Sequence, residues 1–188
     1  MRLPIPIVLL SAILLSGCWW EGPIFYPPDA TAAQPISPGL YEARSADRGE
    51  RPDRVRFTRL ANGAWGDGGD AKSWTFFVRL AGTSRDLWIV ETIPTDGPDA
   101  GYGLMERAGD QWALDVLITC RGTQQIVHAA GGVVENDDPP GADGSADRPS
   151  GNNPVCRFAD RAALERALLA YAAAHPRLGG GTLTRIGD

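Results

Sequence analysis

Trp74-Thr75-Phe76-Phe77-Val78-Arg79-Leu80 puts Trp74, Phe76, Val78 and Leu80 on one side of an extended chain. Successive side chains of a strand point to opposite faces, so this period of two reads as a half-buried strand. The run 111–120 repeats it: Trp112, Leu114, Val116, Ile118 and Cys120 share a face, and Gln111, Asp115 and Thr119 are expected to face away. Weaker alternation marks 40–44, 55–60, 87–93, 102–107 and 124–128 as further strands. Between these segments stand Asn62-Gly63, Gly82-Thr83-Ser84, Gly97-Pro98 and Gly109-Asp110, turn chemistry mostly too short to hold a crossover helix. Antiparallel neighbours follow.

One helix is written as clearly as the strands. Asp160 is placed to cap it, and Leu164, Ala167, Leu168 and Tyr171 recur at i, i+3, i+4 and i+7. Pro176 and Gly179 to Gly181 stop it near His175, and 182–186 then reads as a last short strand. The expected fold is α+β and mainly β, an antiparallel meander forming a curved sheet or small barrel with one C-terminal α-helix packed across it.

Apolar residues at 43% and charged residues at 22% are ordinary for a globular chain and exclude wholesale disorder. The net charge of −5 repels phosphate backbones, which argues against nucleic-acid binding.

The amino terminus carries a different kind of signal. Arg2 precedes an apolar run from Leu3 to Leu15, and the run ends in Leu15-Ser16-Gly17-Cys18. It is too short for the roughly 20 residues that span a bilayer and suits a cleaved export signal. These four residues form a complete lipobox, and here the chain resembles the bacterial lipoproteins. The resemblance covers residues 1–18 only. It implies a signal peptide over 1–17, cleavage before Cys18, and acylation of Cys18, which would hold the protein on a membrane outside the cytoplasm. Trp19 stands where inner-membrane retention often uses Asp, which leans the assignment toward the outer membrane. Residues 18–38 then read as a lipidated cysteine followed by a tether, because Pro23, Pro27, Pro28, Pro35 and Pro38 disfavour regular pairing. Trp19, Trp20, Phe25 and Tyr26 sit beside the anchor, where rings with a polar tip suit the bilayer interface, and the alternative is that Ile24, Phe25 and Tyr26 pack on the domain as an edge strand. The single globular domain is expected over 39–188.

With Cys18 acylated, two cysteines remain, and an exported chain is expected to join Cys120 and Cys156 as a disulfide. Between them, 135–155 is rich in Asp, Gly, Pro and Asn and reads as a mobile acidic loop. Asp137, Asp138, Asp143 and Asp147 lack calcium-loop spacing, as do Asp67 and Asp70, and a zinc set of Cys120, His128 and Cys156 matches no familiar motif. No metal or cofactor is expected. His128 is taken as a strand-end or loop residue and His175 as a partner of the helix carboxyl end.

No Gly-x-Ser-x-Gly elbow accompanies the two histidines, and no catalytic residue is assigned. Glu91, Glu106 and Asp115 lie on expected strands, and two of them in one cleft would suit an envelope hydrolase. Trp65, Trp74, Trp88 and Trp112 are the other notable set, since curved antiparallel sheets often line pockets with aromatic rings. Trp74 and Trp112 read as core, whereas Trp88 and Trp65 are the candidate ligand-binding residues. The functional expectation is a non-catalytic binding or interaction module displayed on a membrane, with an envelope protein or peptide as partner. A carboxylate hydrolase and a carrier of an apolar ligand are the alternatives.

Overall fold

The computed structural model describes residues 19–27, 34–46, 50–66, 73–95, 97–136 and 154–188. The lipobox with Cys18, Asp67, Asp70, and the loop aspartates Asp137, Asp138, Asp143 and Asp147 lie outside the described residues. In chain order the elements are β1 (Trp20–Gly22), β2 (Gly39–Ser45), β3 (Asp53–Arg59), β4 (Trp65–Gly66), β5 (Ser73–Arg79), β6 (Leu87–Pro94), β7 (Ala100–Ala108), β8 (Gln111–Asp115), α1 (Gln124–Ala130), β9 (Val133–Asn136), β10 (Pro154–Arg157), α2 (Arg161–Ala174) and β11 (Gly181–Gly187).

From β2 to β8 each strand pairs antiparallel with the next, β8 pairs with β11, and β11 returns to β2. The meander therefore closes into an antiparallel barrel of eight strands. Tight turns account for this, since a two-residue connection such as Gly109-Asp110 forces Ala108 opposite Gln111. Everything between β8 and β11 is inserted outside the wall. There β1 pairs with the start of β7, β10 lies parallel to β1, and β9 runs antiparallel to β10, so a small sheet branches from the barrel.

Two cores result because part of the wall is buried on both faces. Inside the barrel lie Tyr41, Trp65, Phe77, Val90, Met105, Trp112 and Leu183. On the outer side of β5 to β7, Phe76, Leu80, Leu87, Ile89 and Leu104 meet Leu164, Ala167 and Leu168 of α2. Each such large side chain withdrawn from water contributes about 1.5–3 kcal/mol. Asp160 caps α2 by accepting from Ala163 N at 2.7 Å, and the helix ends at His175, whose Nδ1 lies 2.9 Å from Tyr171 O.

Several expectations are corrected. The strand foreseen over 111–120 ends at Asp115, and Val116 is 39% exposed. The regular pairing stops there, and the chain bends between β7 and β1, with Ile118 N donating to Tyr102 O and Ile118 O accepting from Trp20 N. Residues 124–128 are helical, in α1, because Val127 and Ala130 at i and i+3 both bury beneath it. Its His128 is exposed on that helix, neither at a strand end nor in a loop.

The segment 18–38 is no free tether where it is described. Trp20 is 0% exposed in β1, Tyr26 and Ile36 are buried, and the strand forms at 20–22, leaving 24–26 as an irregular strap. Glu135, Asn136, Pro154 and Val155, assigned by sequence to the acidic loop, pair in the β9–β10 hairpin. Trp74 shares the outward side of β5 with Phe76 but is 39% exposed, so it is not core.

Candidate functional site

Residues directly opposite on adjacent antiparallel strands share a face. Three such pairs couple an arginine to a tryptophan: Arg59 with Trp65, Arg79 with Trp88, and Arg107 with Trp112. In each pair the guanidinium lies over the ring, at 5.8, 5.7 and 5.1 Å from its centroid respectively. All three tryptophans belong to the interior cluster, Trp88 at its half-buried edge. Going round the wall, these pairs lie at the same end of the barrel, where β3, β5 and β7 finish and β4, β6 and β8 begin. Arg185 of β11 joins them, its Nη2 donating to Pro38 O at 3.1 Å and Asp188 Oδ1 at 2.7 Å.

Local hydrogen bonds hold this mouth in shape. Trp65 Nε1 donates to Gln34 Oε1 at 2.7 Å, and Trp88 Nε1 donates to Asp86 Oδ1 at 3.0 Å, the same oxygen that pairs with Arg79. Ile36 buries into the interior cluster beside them, so 34–38 covers part of the opening. The mouth therefore has a floor of indole rings and a rim of guanidinium groups. Guanidinium groups can pair with carboxylates and indole rings can stack with planar groups, and here Arg79 and Arg185 already contact Asp86 and Asp188 of the chain itself. Tyr41, Phe77, Met105 and Leu183 belong to the same interior cluster, Met105 directly opposite Trp88 and Leu183 directly opposite Trp112.

The sequence singled out Trp65, Trp88 and Trp112, and the structure brings these three together, whereas Trp74 faces out. The arginines were missed. One of them was within reach, since the Gly109-Asp110 turn alone sets Arg107 opposite Trp112.

The three carboxylates do not converge on one cleft; each is held by its own structural partners. Asp115 Oδ2 accepts from Tyr171 OH at 3.0 Å, and its Oδ1 accepts from Gly179 N at 3.2 Å and Gly180 N at 2.5 Å. It thereby ties the end of β8 to α2 and to the entry of β11, and the expectation that it faces away from the core is corrected. Burial and the Asp115 charge push the Tyr171 hydroxyl pKa well up. Glu106 forms a two-point pair with Arg85, at 2.8 and 2.6 Å, while Arg85 Nη1 also donates to Ala172 O and His175 O at the end of α2.

Glu91 sits on the outer face of β6 beneath the strap 23–26, 0% exposed. Its Oε1 accepts from Phe25 N at 2.9 Å, Tyr26 N at 3.3 Å and Tyr102 OH at 2.9 Å, and its Oε2 has no partner. The Tyr102 hydroxyl also lies against Pro23 O. One hydroxyl proton serves one acceptor at a time, so a proton on Glu91 fits this cluster. Burial likewise pushes the Glu91 carboxyl pKa up, against the hydrogen bonds that lower it.

Cys120 and Cys156 are joined as a disulfide with a Cα–Cα distance of 5.3 Å, which removes both from the zinc set that included His128. Among the described residues no group of three or more His, Cys, Asp or Glu is arranged to hold a metal ion, and no helix is long and apolar enough to cross a membrane. Comparison of the chain with protein-family models, curated proteins and solved structures finds no match.

Proposed function

We propose that this chain is an envelope lipoprotein, anchored through Cys18, whose barrel is a non-catalytic module that binds an acidic segment of an envelope protein at the arginine-rimmed mouth. The observation that carries the reading is the set of three cross-strand arginine–tryptophan pairs at one barrel end. On a chain of net charge −5, long-range repulsion turns an acidic partner away from most of the surface and leaves the rim as the favoured point of approach. Two further observations support binding over the alternatives. The carboxylates that a hydrolase would use are committed to separate structural bonds, and the rings that would line a carrier's cavity belong to one packed interior cluster.

The test is crosslinking in intact envelopes followed by co-purification of wild type, Cys18→Ala, and the pair Arg79→Glu with Arg107→Glu. Both arginines are on the surface, so the charge reversal is expected to fold. Anchored wild type is expected to yield a reproducible protein partner, and both variants are expected to lose it. Recovery of the same partner with both arginines reversed refutes the mouth as the binding face.

A further inference from the structure

The geometry points to a barrel seated directly on the bilayer surface, without a spacer, on the flank formed by Trp19 and the 116–119 turn. The inference depends on the proposed acylation of Cys18 and goes beyond it, because acylation alone says nothing of distance or orientation.

The residue after the anchor is fixed to the fold on both sides. On one edge of the strand Trp20 N donates to Ile118 O at 3.0 Å, and Trp19 forms a bridge with Thr119. On the other edge Cys156 N donates to Trp19 O at 3.2 Å, and Phe158 N donates to Glu21 O at 3.0 Å. The Cys120–Cys156 disulfide joins these two flanking segments, and the Trp20 indole is anchored by its Nε1 donating to Thr123 Oγ1 at 2.9 Å. β1 is thus clamped by a covalent staple over hydrogen-bonded edges.

Consecutive Cα atoms are ~3.8 Å apart, so an acylated Cys18 is within one residue of this clamp whatever its own conformation. A flexible tether of some twenty residues would instead let the domain range over ~25 Å. The flank beside Trp19 suits the headgroup boundary. Val116 is exposed, Leu117 half-buried and Thr119 exposed, and Trp19 itself presents an amphipathic ring. Arg157 contacts Glu21, Asp99 and Glu135, three carboxylates to one guanidinium, so this nearby cluster adds no attraction for an anionic lipid. Seating on this flank is carried by acyl chains and apolar contact, and on zwitterionic lipid it is expected to vary little with salt. Strand β3, four strands round the closed wall from β7, faces the aqueous side with Arg54, Arg56 and Thr58 outward.

The test uses full-length, processed protein in phosphatidylcholine–phosphatidylethanolamine vesicles. Val116→Cys and Thr58→Cys variants, both at exposed positions, carry a nitroxide whose collisions with lipid-soluble oxygen and with a water-soluble nickel chelate are compared. Oxygen is expected to dominate at position 116 and nickel at position 58, with the same pattern at low and high salt. Equal aqueous access at both positions, in protein whose mass shows an acylated Cys18, overturns the seating and leaves the lipoprotein reading intact; an unmodified Cys18 overturns both. A second measurement keeps the fold native: with a protease site placed at 28–33, cutting is expected to leave the barrel on the vesicles, held by the clamped β1 until denaturant is added. Release on cutting restores the spacer and overturns the inference.

Discussion

Glu91→Gln separates the cost of a buried charge from the value of the contacts around it. The carboxyl is fully buried, three donors reach Oε1, and none reaches Oε2. Its pKa in the folded protein is raised by burial above the ordinary value of about 4.3. A raised folded pKa means that the folded state holds the proton more tightly than the unfolded chain. The stabilisation is complete below the unfolded pKa and declines as pH rises, by about 1.4 kcal/mol per pH unit, until the folded pKa is passed. Glutamine keeps an acceptor for the Phe25 and Tyr26 amides, does not titrate, and places an NH2 group where Oε2 finds no acceptor, which costs about 1–3 kcal/mol. The variant is therefore less stable than wild type near pH 4. The gap narrows as pH rises, and the strap 23–26 is the first segment to feel it. Urea unfolding of both proteins at pH 4, 5, 6 and 7 measures the gap. A difference that stays constant across this range refutes the argument, because it means that the carboxyl titrates alike in folded and unfolded chains.

Two further outcomes are expected. Replacing Cys120 and Cys156 together by alanine opens a loop of 36 residues and should cost about 4 kcal/mol in the chain-entropy model, read as a drop in the urea midpoint; a loss under about 1 kcal/mol would show that the hydrogen bonds around β1 hold this region unaided. Gly103→Ala would bring a methyl within 2.1 Å of Val116 O and 2.3 Å of Asp115 O, both backbone, and should destabilise by about 3 kcal/mol or more, whereas the Gly101→Ala methyl would meet the Leu117 side chain at 3.1 Å and Thr92 O at 4.0 Å and should cost far less; equal thermal midpoints for the two variants would contradict the crowding at the β8 exit.

The alternation of Phe76, Val78 and Leu80 and of Trp112 and Leu114 was enough to find strands, because burial on one face imposes period two on the sequence. It did not say which face. Phe76 turns outward under α2, while Trp112 turns inward to the barrel core. A sheet covered on both sides has two insides, and Leu87 to Val90 is apolar on both accordingly. The segment 124–128 was misread for a related reason: Ile126 and Val127 amid polar neighbours fit either period over so few residues, and only packing beneath α1 selects the helix. Sequence likewise named Trp65 and Trp88 but not Arg59 and Arg79, since these partners lie on other strands and are joined by register.

The amino-acid order alone determined the local quantities: the strand and helix periods of the longer segments, turns, the Asp160 cap, the cysteine pair, and the lipobox as a motif. Each is set by neighbours within a few residues or, for the cysteines, by elimination. Tertiary structure decided closure of the meander into a barrel, the burial of Trp20 in place of a tether, the isolation of Glu91 under its strap, and the gathering of three arginines over three tryptophans. These depend on residues far apart in the chain meeting at fixed strand register, and register is settled by the packing of the whole wall rather than by any one segment of it.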